Sequence, residues 1–497
     1  MTDQAPILII IIPLMFALMT PLIGWIRKNL CYPWVLLSLT LSALSSFIIL
    51  RTVLLRGIIS YKLGNWDPPW GIEYAIDHLN ALMLVIITVI SLIVAVYSKK
   101  SIQREKPDKI VHFYTIFLLQ VTGFLGMVVS GDLFNIYVFL EIASLAGYAL
   151  IAIGDERAPY ASFRYVVIGT IGASFYLLSV GYIYSVTGSL NIADVARLLP
   201  ELYNSNVILT ALVFMFAGIA IKMAMFPVHA WAPNAYTHAP SAVSALVAPL
   251  MTKVAAYLMI RVSFTVFKPH YIIDVISLNS FISWIGAAGI IAGSIFAIAQ
   301  NNLKKMLSYS VVAQIGYIAL GIGLANSYGL TGAVLHIVNE AFTKGCVFLA
   351  AGGIVYKLGG CNIADFKNLF RKMPFTMTAF TIGAFSLIGI PPTCGFFSKL
   401  YLILGSIEAD QWTFVGVLLF SSILNVVYFF RVIQTAAFEK QMSDYSREDP
   451  YEKVPMDEVP LTMLIPIQIA ALGILLCGIF NSEIISSVIK YAIPPGL

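Results

Sequence analysis

Six charged side chains stand inside long apolar stretches of the sequence. They are Glu141, Lys222, Lys253, Glu340, Lys344 and Lys399. A charge at the centre of a bilayer costs about 3 kcal/mol or more, so such residues are paired, hydrated or functional. The pKa of a lysine falls on desolvation and rises beside a carboxylate. A lysine whose carboxylate partner approaches and recedes is therefore a proton-binding site of adjustable affinity.

The first candidate pair is Glu141 with Lys222. Glu141 lies in the middle of LFNIYVFLEIASLAGYAL (133–150), and its short side chain cannot reach the membrane surface. It must therefore be neutral or paired with a cation. Lys222, in AIKMAMFPVHAW (220–231), is the candidate partner. Lys253, in the next apolar stretch, would receive the proton from Lys222.

A second group lies further along the chain. His336, Glu340 and Lys344 are spaced four residues apart and so share one face of a helix. Lys399 follows the sequence GIPP (389–392) and would be the last proton-binding site. The alternative is a static ion-pair network that fixes helix packing. Buried ion pairs stabilise proteins poorly, and four lysines against two glutamates leave cations without a partner, which favours proton transfer.

Two histidines and one polar segment are further candidates. His229 and His238, in PVHAWAPNAYTHAP (227–240), would admit protons from the cytoplasmic side, and a capping or packing role is an equal alternative. Four polar residues of one later apolar stretch are candidates to hold a water wire: Ser308, Tyr309, Ser310 and Gln314.

Membrane-spanning helices must hold these side chains. The chain has 497 residues, of which 59% are hydrophobic and 11% charged, whereas a soluble domain has about 25% charged residues. Windows of about 20 apolar residues mark helices that cross a membrane. They predict an all-α polytopic membrane protein with fourteen spans, at 7–26, 33–50, 78–98, 112–129, 132–153, 162–186, 207–230, 241–265, 277–299, 306–324, 329–356, 374–405, 412–436 and 459–481.

The loop lysines and arginines set the predicted orientation, because cytoplasmic loops carry the excess of positive charge. One set of alternate loops holds Arg27, Lys28, Lys99, Lys100, Arg104, Lys106, Lys109, Arg157, Arg164, Lys304, Lys305, Lys357, Lys367, Arg371, Lys372, Lys440, Arg447 and Lys453. The other set holds only Arg51, Arg56, Lys62, Arg197, Lys268 and Lys490. We therefore expect the first set to face the cytoplasm and both termini to lie outside, in the inner (plasma) membrane of a prokaryote.

Two spans are interrupted by proline at matching positions. Pro227 breaks span seven, and Pro391 and Pro392 break span twelve. Each is the fourth span of a five-span block, spans four to eight and nine to thirteen, and the odd number inverts the second block relative to the first. Paired broken helices in an inverted repeat indicate a transport site. Either break alone is also consistent with a kinked packing helix.

These patterns predict a single transmembrane domain over residues 1–497. Spans one to three lie in 1–110, the first repeat in 111–265 and the second in 277–436, and a cytoplasmic loop and the last span follow in 437–497.

The sequence contains no motif for catalysis or for a cofactor. It has no Walker A sequence, no GxGxxG after a strand, no CxxC and no HExxH. We therefore predict no cofactor, no metal site and no nucleic-acid partner. An ion gradient or partner subunits must supply the energy.

Several segments resemble one family. They are SGDLFNIYVFLEIASLAGY (130–148), KMAMFPVHAWAPNAYTHAPS (222–241), LMTKVAAY (250–257) and GIPPTCGFFSKL (389–400). They resemble the antiporter-like subunits shared by Mrp-type cation/proton antiporters, respiratory complex I and membrane-bound hydrogenases. Within that family, LGNWDPPWGIEY (63–74) and TGSLNIADVA (187–196) are most similar to the Mrp D subunit and the related hydrogenase subunit.

The resemblance implies a fourteen-helix fold with two inverted five-helix repeats and a proton path along the membrane midplane. It matches Glu141 to the family's glutamate in span five and Lys222 to the paired lysine in span seven. It likewise matches Lys253, Lys344 and Lys399 to the lysines of spans eight, eleven and twelve. Partners would be the other membrane subunits of a hetero-oligomeric complex.

Two departures from the family pattern matter. The family often has histidine where this chain has Glu340, which changes how the central relay titrates. The sequence also lacks the long C-terminal extension of the largest family members, so we expect a different subunit.

Three functions remain open at this point. The one that the sequence favours is the proton-translocating subunit of a multisubunit Na⁺(K⁺)/H⁺ antiporter, of the Mrp D-subunit type. The second is the equivalent subunit of a redox-driven translocase, a NADH:quinone oxidoreductase or a membrane-bound hydrogenase. The third is a scaffold with an inactive channel, against which the complete set of lysines argues.

Overall fold

The computed structural model describes residues 4–438, 455–494 and 497, and most of these residues are helical. Thirteen helices in this part are long and apolar enough to cross a membrane. The helices of the bundle are α1 (Ala5–Ile26), α2 (Cys31–Arg56), α3 (His78–Glu105), α4 (Ile110–Val129), α5 (Leu133–Ala152), α6 (Ala158–Thr187), α7 (Asn206–Met223), α8 (Ser241–Arg261), α9 (Leu278–Ile298), α10 (Leu303–Leu324), α11 (Ser327–Leu358), α12 (Pro374–Ile388), α13 (Cys394–Glu408), α14 (Trp412–Phe438) and α15 (Leu461–Ile479). Most of the predicted cytoplasmic loop after α14, with Lys440, Arg447 and Lys453, lies outside the described residues.

The remaining predicted span is divided into two helices. Residues 374–405 form α12 and α13, of 15 residues each. Neither alone reaches the length of about 20 residues that a membrane crossing needs. The prediction of an all-α polytopic protein with about fourteen spans is therefore confirmed.

The prolines explain where α7 and α12 end. A proline cannot donate a hydrogen bond to the carbonyl four residues before it, and its ring clashes with that carbonyl. α7 ends at Met223, four residues before Pro227, and α12 ends at Ile388, four residues before Pro392. Both predicted breaks are confirmed, although α7 ends earlier than residue 230, the limit predicted for span seven.

The two five-span blocks are built alike. In the first block α4 packs against α5 and α6 against α7, and in the second α9 packs against α10 and α11 against α13. Each half-helix before a break is followed by a residue of positive φ, Ala224 at 56° and Gly389 at 96°. α8 and α11 pack against each other at the centre, and both are almost wholly buried. This central contact brings side chains of the two blocks together.

The loops and termini sort to two ends of the bundle. At one end, Lys304 at the start of α10 donates to the carbonyl of Ala239, just before α8. At the other end, Tyr61 donates to the side chain of Gln4, near the N-terminus. Tyr491, near the C-terminus, stacks on the first residue of α3 at this same end. The first and last described helices therefore begin and end, respectively, at the same end of the bundle, opposite the loops that carry most of the basic residues.

A short β-hairpin at the end with the termini was not predicted. Strand β1 (Ile59–Lys62) pairs antiparallel with β2 (Glu73–Ile76), with Ile59 opposite Ile76. Strands of four residues are too short for an alternating pattern to distinguish them from a loop.

Candidate functional site

Lys222 and Glu141 face each other between α7 and α5, as the sequence predicts. Lys222 Nζ lies 3.9 Å from Glu141 Oε1. The same Nζ donates to Ser144 Oγ at 2.7 Å and to Tyr148 OH at 3.3 Å. The Lys222 side chain is 5% exposed and that of Glu141 26% exposed. The ammonium is thus shared between two buried hydroxyls and the carboxylate of a partly exposed side chain.

Ser144 and Tyr148 were not predicted from the sequence, although a signal was present. Glu141, Ser144 and Tyr148 are spaced i, i+3 and i+7, which places them on one face of α5. Trp231, beyond the break, donates from Nε1 to the carbonyl of Ile221 at 2.9 Å. The Ile221 carbonyl, near the end of α7, thus accepts from Trp231 as well as from the backbone N–H of Ala224.

A small cavity and an unpartnered amide lie near Lys222. The cavity has about 20 Å³, enough for about one water molecule, and Ser144 is its other polar lining residue. Gln120 on α4 is fully buried beside Gly147 of α5, and neither amide atom has a hydrogen-bond partner among the described residues. Such buried amides normally bind ordered water. Gln120 is therefore a further residue that was not predicted from the sequence.

A second ion pair joins the two repeats. Lys253 Nζ on α8 lies 3.5 Å from Glu340 Oε2 on α11, and both side chains are 0% exposed. Lys253 also donates to the carbonyl of Ala248 at 3.1 Å. The sequence analysis placed both residues in the relay but did not predict that they pair. The contact arises because α8 and α11 pack at the centre of the bundle.

The lysines outnumber the carboxylates in the second repeat. Lys344 Nζ donates to Ser310 Oγ at 2.6 Å. Neither Lys344 nor Lys399 forms an ion pair with a carboxylate in the part of the chain that the structure describes. Glu340 forms its ion pair with Lys253, so Lys344 and Lys399 have no carboxylate partner among the described residues.

His336 connects three helices through both ring nitrogens. Its Nδ1 lies 2.9 Å from Ser398 Oγ of α13, and its Nε2 lies 2.9 Å from Gln314 Oε1 of α10. Of the four residues considered for a water wire, Ser310 and Gln314 thus face the buried cluster. Ser308 instead donates to a backbone carbonyl of its own helix, and Tyr309 packs against Phe296.

Lys399 caps the end of α12. Its Nζ donates to the carbonyls of Leu387 and Ile388 at 2.8 and 3.0 Å. These carbonyls lie four residues before Pro391 and Pro392, which have no N–H to offer them. The C-terminal end of a helix also carries a partial negative charge that attracts cations. The break in span twelve is therefore what holds the Lys399 ammonium in place.

Tyr317 lies between Lys399 and His336. Lys399 Nζ is 4.9 Å from the centroid of the tyrosine ring, and the rings of Tyr317 and His336 are 5.2 Å apart. Ser310, Gln314 and Tyr317 are spaced i, i+4 and i+7 on α10, so they share one face. That spacing is the signal by which the sequence could have revealed Tyr317.

The two further histidines lie apart from the buried lysines. His238 Nδ1 is 2.9 Å from Asp155 Oδ2, at the end of the bundle that carries most of the basic loops. His229 is 9% exposed and stacks on Phe226 and Phe296. Among the described residues neither histidine hydrogen-bonds to a lysine of the relay. Their proposed role in admitting protons stays a prediction.

α8 separates the two clusters of charged residues. Met251 and Ala255 line the cavity beside Lys222, whereas Lys253 points to Glu340 on α11. Successive helical residues turn by about 100°, so Met251 and Lys253 lie on nearly opposite faces of α8. The Lys222 site and the Lys253–Glu340 pair therefore lie against different faces of α8.

This combination of about fourteen spans, two broken helices and buried lysines defines an antiporter-like membrane subunit. The chain belongs to the family described as NADH:quinone oxidoreductase/Mrp antiporter, TM, whose profile matches residues 130–425. The resemblance identified in the sequence is thus confirmed. The matched region contains all seven residues of the predicted relay.

Two curated relatives illustrate the two branches of this family. The chain is 46% identical to the N subunit of a NADH-quinone oxidoreductase of Desulforudis audaxviator, over 99% of both chains. It is 31% identical to the D subunit of the Na(+)/H(+) antiporter of Bacillus subtilis, over 86% of this chain and 85% of the relative.

Solved structures share the fold. A chain of the membrane-bound sulfane sulfur reductase, an archaeal respiratory membrane complex, superposes with a TM-score of 0.89 and 32% identity, covering 98% of this chain and 96% of the other. A chain of the Mrp complex from Dietzia superposes with a TM-score of 0.88 and 23% identity, covering 99% and 98%. A chain of respiratory complex I from Thermus thermophilus superposes with a TM-score of 0.75 and 21% identity, covering 96% of this chain and 98% of the other.

Proposed function

We propose that the chain is a proton-translocating membrane subunit of a redox-driven respiratory complex. The observation that carries this choice is the 46% identity to a NADH-quinone oxidoreductase subunit, against 31% to the D subunit of an antiporter. The 32% identity to a chain of a sulfane sulfur reductase supports the same choice. The sequence analysis favoured the Mrp D subunit, and these relatives instead support its alternative.

The proposed activity is proton transfer between buried lysines. Contact with Glu141 favours the protonated form of Lys222, and separation of the pair favours proton release. Water held near Gln120 carries the proton around α8 to Lys253. Glu340 then exchanges its electrostatic contact between Lys253 and the other two lysines of its cluster.

Lys399 is the last proton-binding site in this scheme. His336 relays the proton toward it through Ser398, whose hydroxyl lies 2.9 Å from the imidazole. Lys399 then releases the proton at the break in span twelve. Glu141 is the residue that a neighbouring subunit is best placed to move, because its side chain is partly exposed whereas that of Lys222 is buried.

A second candidate is the equivalent subunit of a Na⁺(K⁺)/H⁺ antiporter. The observation in its favour is the 31% identity to the D subunit of the Na(+)/H(+) antiporter over 430 residues. The same relay would then couple proton movement to a cation gradient instead of to electron transfer.

The proposal includes location and partners. The distribution of basic residues supports an orientation in which the end with both termini lies outside a prokaryotic plasma membrane. Other membrane subunits would cover the surface of α5 beside Glu141, and a separate subunit would carry the redox centres.

The composition of the native complex distinguishes the two candidates. We would purify the complex through a tag on this chain, identify its subunits by mass spectrometry, and reconstitute it into vesicles with a pH-sensitive dye. We expect subunits that bind iron–sulfur clusters and proton movement that starts on addition of an electron donor. A complex of hydrophobic subunits alone, with proton movement driven only by a Na⁺ or K⁺ gradient, would replace the proposal with the second candidate.

A further inference from the structure

A cavity of about 430 Å³ opens between α1–α2 and α3–α4 at the end that carries most of the basic loops. Its polar lining comes from Lys28, Asn29, Tyr32, Lys99, Gln103 and Tyr114, and its apolar lining from Pro33, Ile102 and Ile110. The volume falls within the range of about 300 to 1,000 Å³ that small-molecule sites occupy. The cavity lies far from the buried lysines of the relay, so the proposed function does not account for it.

The cavity is positively charged. Lys28 and Lys99 contribute two ammonium groups, and no carboxylate lines it. The nearby Glu105 is engaged elsewhere, because it accepts hydrogen bonds from Ser101 and from the backbone of Ser241. The charge of the two lysines is therefore available to an anion.

The position of the cavity matches the level of lipid headgroups. Lys99 and Gln103 belong to the last turns of α3, Lys28 to the connection between α1 and α2, and Ile110 to the first turn of α4. Tyr114 bonds to Ser98 deeper in the bundle. Basic pockets between membrane helices on the cytoplasmic side bind anionic headgroups, and tyrosines are enriched at this level.

We propose that this cavity binds the phosphate headgroup of an anionic phospholipid. The two lysines would contact the phosphate, and Asn29 and Gln103 would donate to its oxygens or to the glycerol. Lys99 lies 4.8 Å from the centroid of the Tyr32 ring, which keeps its ammonium at the cavity wall. The apolar wall would pack against the upper part of an acyl chain.

The test uses the full chain in its purified complex. Binding of phosphatidylglycerol and of phosphatidylcholine would be measured by native mass spectrometry after delipidation, for the wild type and for Lys28→Gln and Lys99→Gln. Lys100→Gln is the matched control, because Lys100 is exposed on the neighbouring position of α3 and does not line the cavity. Thermal unfolding of each variant would confirm that it is folded.

We expect one phosphatidylglycerol to bind in preference to phosphatidylcholine. A basic residue near an anionic lipid contributes about 1 kcal/mol, so each cavity variant should bind about five-fold more weakly, while Lys100→Gln keeps wild-type affinity. Equal binding of both lipids, or an equal loss in Lys100→Gln, would overturn the proposal. Displacement of the lipid by inorganic phosphate at the same concentration would also overturn it, by assigning the cavity to a free anion.

Discussion

Glu340 on α11 and Lys253 on α8 form an ion pair across the boundary between the two repeats, with 3.5 Å between Oε2 and Nζ and no exposure of either side chain. Each residue comes from a helix at the centre of the bundle, so neither can leave the pair without affecting the other repeat. Lys344 lies on the same helix, one turn beyond Glu340. We therefore propose that Glu340 is the residue through which charge on one repeat influences the other.

Glu340→Gln should abolish proton translocation and destabilise the protein. Removing one partner of a buried ion pair costs about 3 to 5 kcal/mol, because a charge is left uncompensated. Translocation by the reconstituted complex and thermal unfolding measure the two effects. Glu156→Gln, in an exposed loop, is the matched control and should change neither. A Glu340→Gln complex that pumps at the wild-type rate would show that this carboxylate is structural.

Two substitutions of Lys399 should distinguish its role in capping α12 from its role in proton transfer. Lys399→Arg keeps a cation at the end of α12, but a guanidinium stays protonated at any physiological pH. We therefore expect near wild-type stability with translocation lowered about 100-fold, the usual effect of removing a proton-transfer group. Lys399→Ala should lose translocation and also about 1 to 2 kcal/mol of stability, because the helix end loses its cation. Full translocation by Lys399→Arg would limit the residue to capping.

The sequence predicted best those features that cost free energy inside a bilayer. A charge or a proline inside an apolar span is expensive in a bilayer, so Lys222, Lys399, Pro227 and Pro392 each indicate a site from the sequence alone. The same reasoning accounts for the ends of α7 and α12, four residues before a proline.

The partners of those charges were less predictable. Backbone carbonyls such as that of Leu387 occur throughout membrane helices, and no spacing distinguishes the ones that meet a lysine. The contact of Lys253 with Glu340 depends on how the two repeats pack, which is a property of the whole bundle. Only residues that share a helical face, such as Ser144 with Glu141, left a local signal.

His336 should contribute a smaller, pH-dependent effect. Its two ring nitrogens contact Ser398 and Gln314, so it lies on the route to Lys399. His336→Gln preserves hydrogen bonding but cannot titrate, and we expect the pH profile of translocation between pH 5 and 8, where histidine titrates, to change shape. His112→Gln, at an exposed position, provides the control. If the pH profile of translocation by His336→Gln superimposes on that of the wild type, this residue contributes only to packing.

Asp77 should stabilise the end of the bundle that carries the termini. It caps α3 and pairs with Arg261 of α8. Burial alone would raise the pKa of its carboxyl, but attraction to the Arg261 guanidinium lowers that pKa below the ordinary value of 3.8. Because the folded-state pKa is lowered, the stabilisation is present above the pKa of the unfolded chain, about 3.9, and is lost as the pH falls below it.

Two substitutions of Asp77 separate its two contributions. Asn caps helices as well as Asp does, so Asp77→Asn removes only the ion pair, whereas Asp77→Ala also removes the cap, worth about 1 kcal/mol. Thermal unfolding at pH 7 should rank the wild type above Asp77→Asn and Asp77→Ala lowest. The difference in unfolding temperature between the wild type and Asp77→Asn should become smaller as the pH falls toward 3. A gap that is constant with pH would contradict the assigned ion pair.

The most direct test of the account is proton translocation by the intact complex with Glu141→Gln, reconstituted into vesicles and driven by its electron donor. The control is Glu201→Gln, an exposed carboxylate outside the membrane helices. We predict that Glu141→Gln, like Glu141→Ala, assembles with all subunits and translocates protons about 100-fold more slowly, while Glu201→Gln matches the wild type. Wild-type translocation by an assembled Glu141→Gln complex would contradict the claim that this carboxylate controls the proton on Lys222.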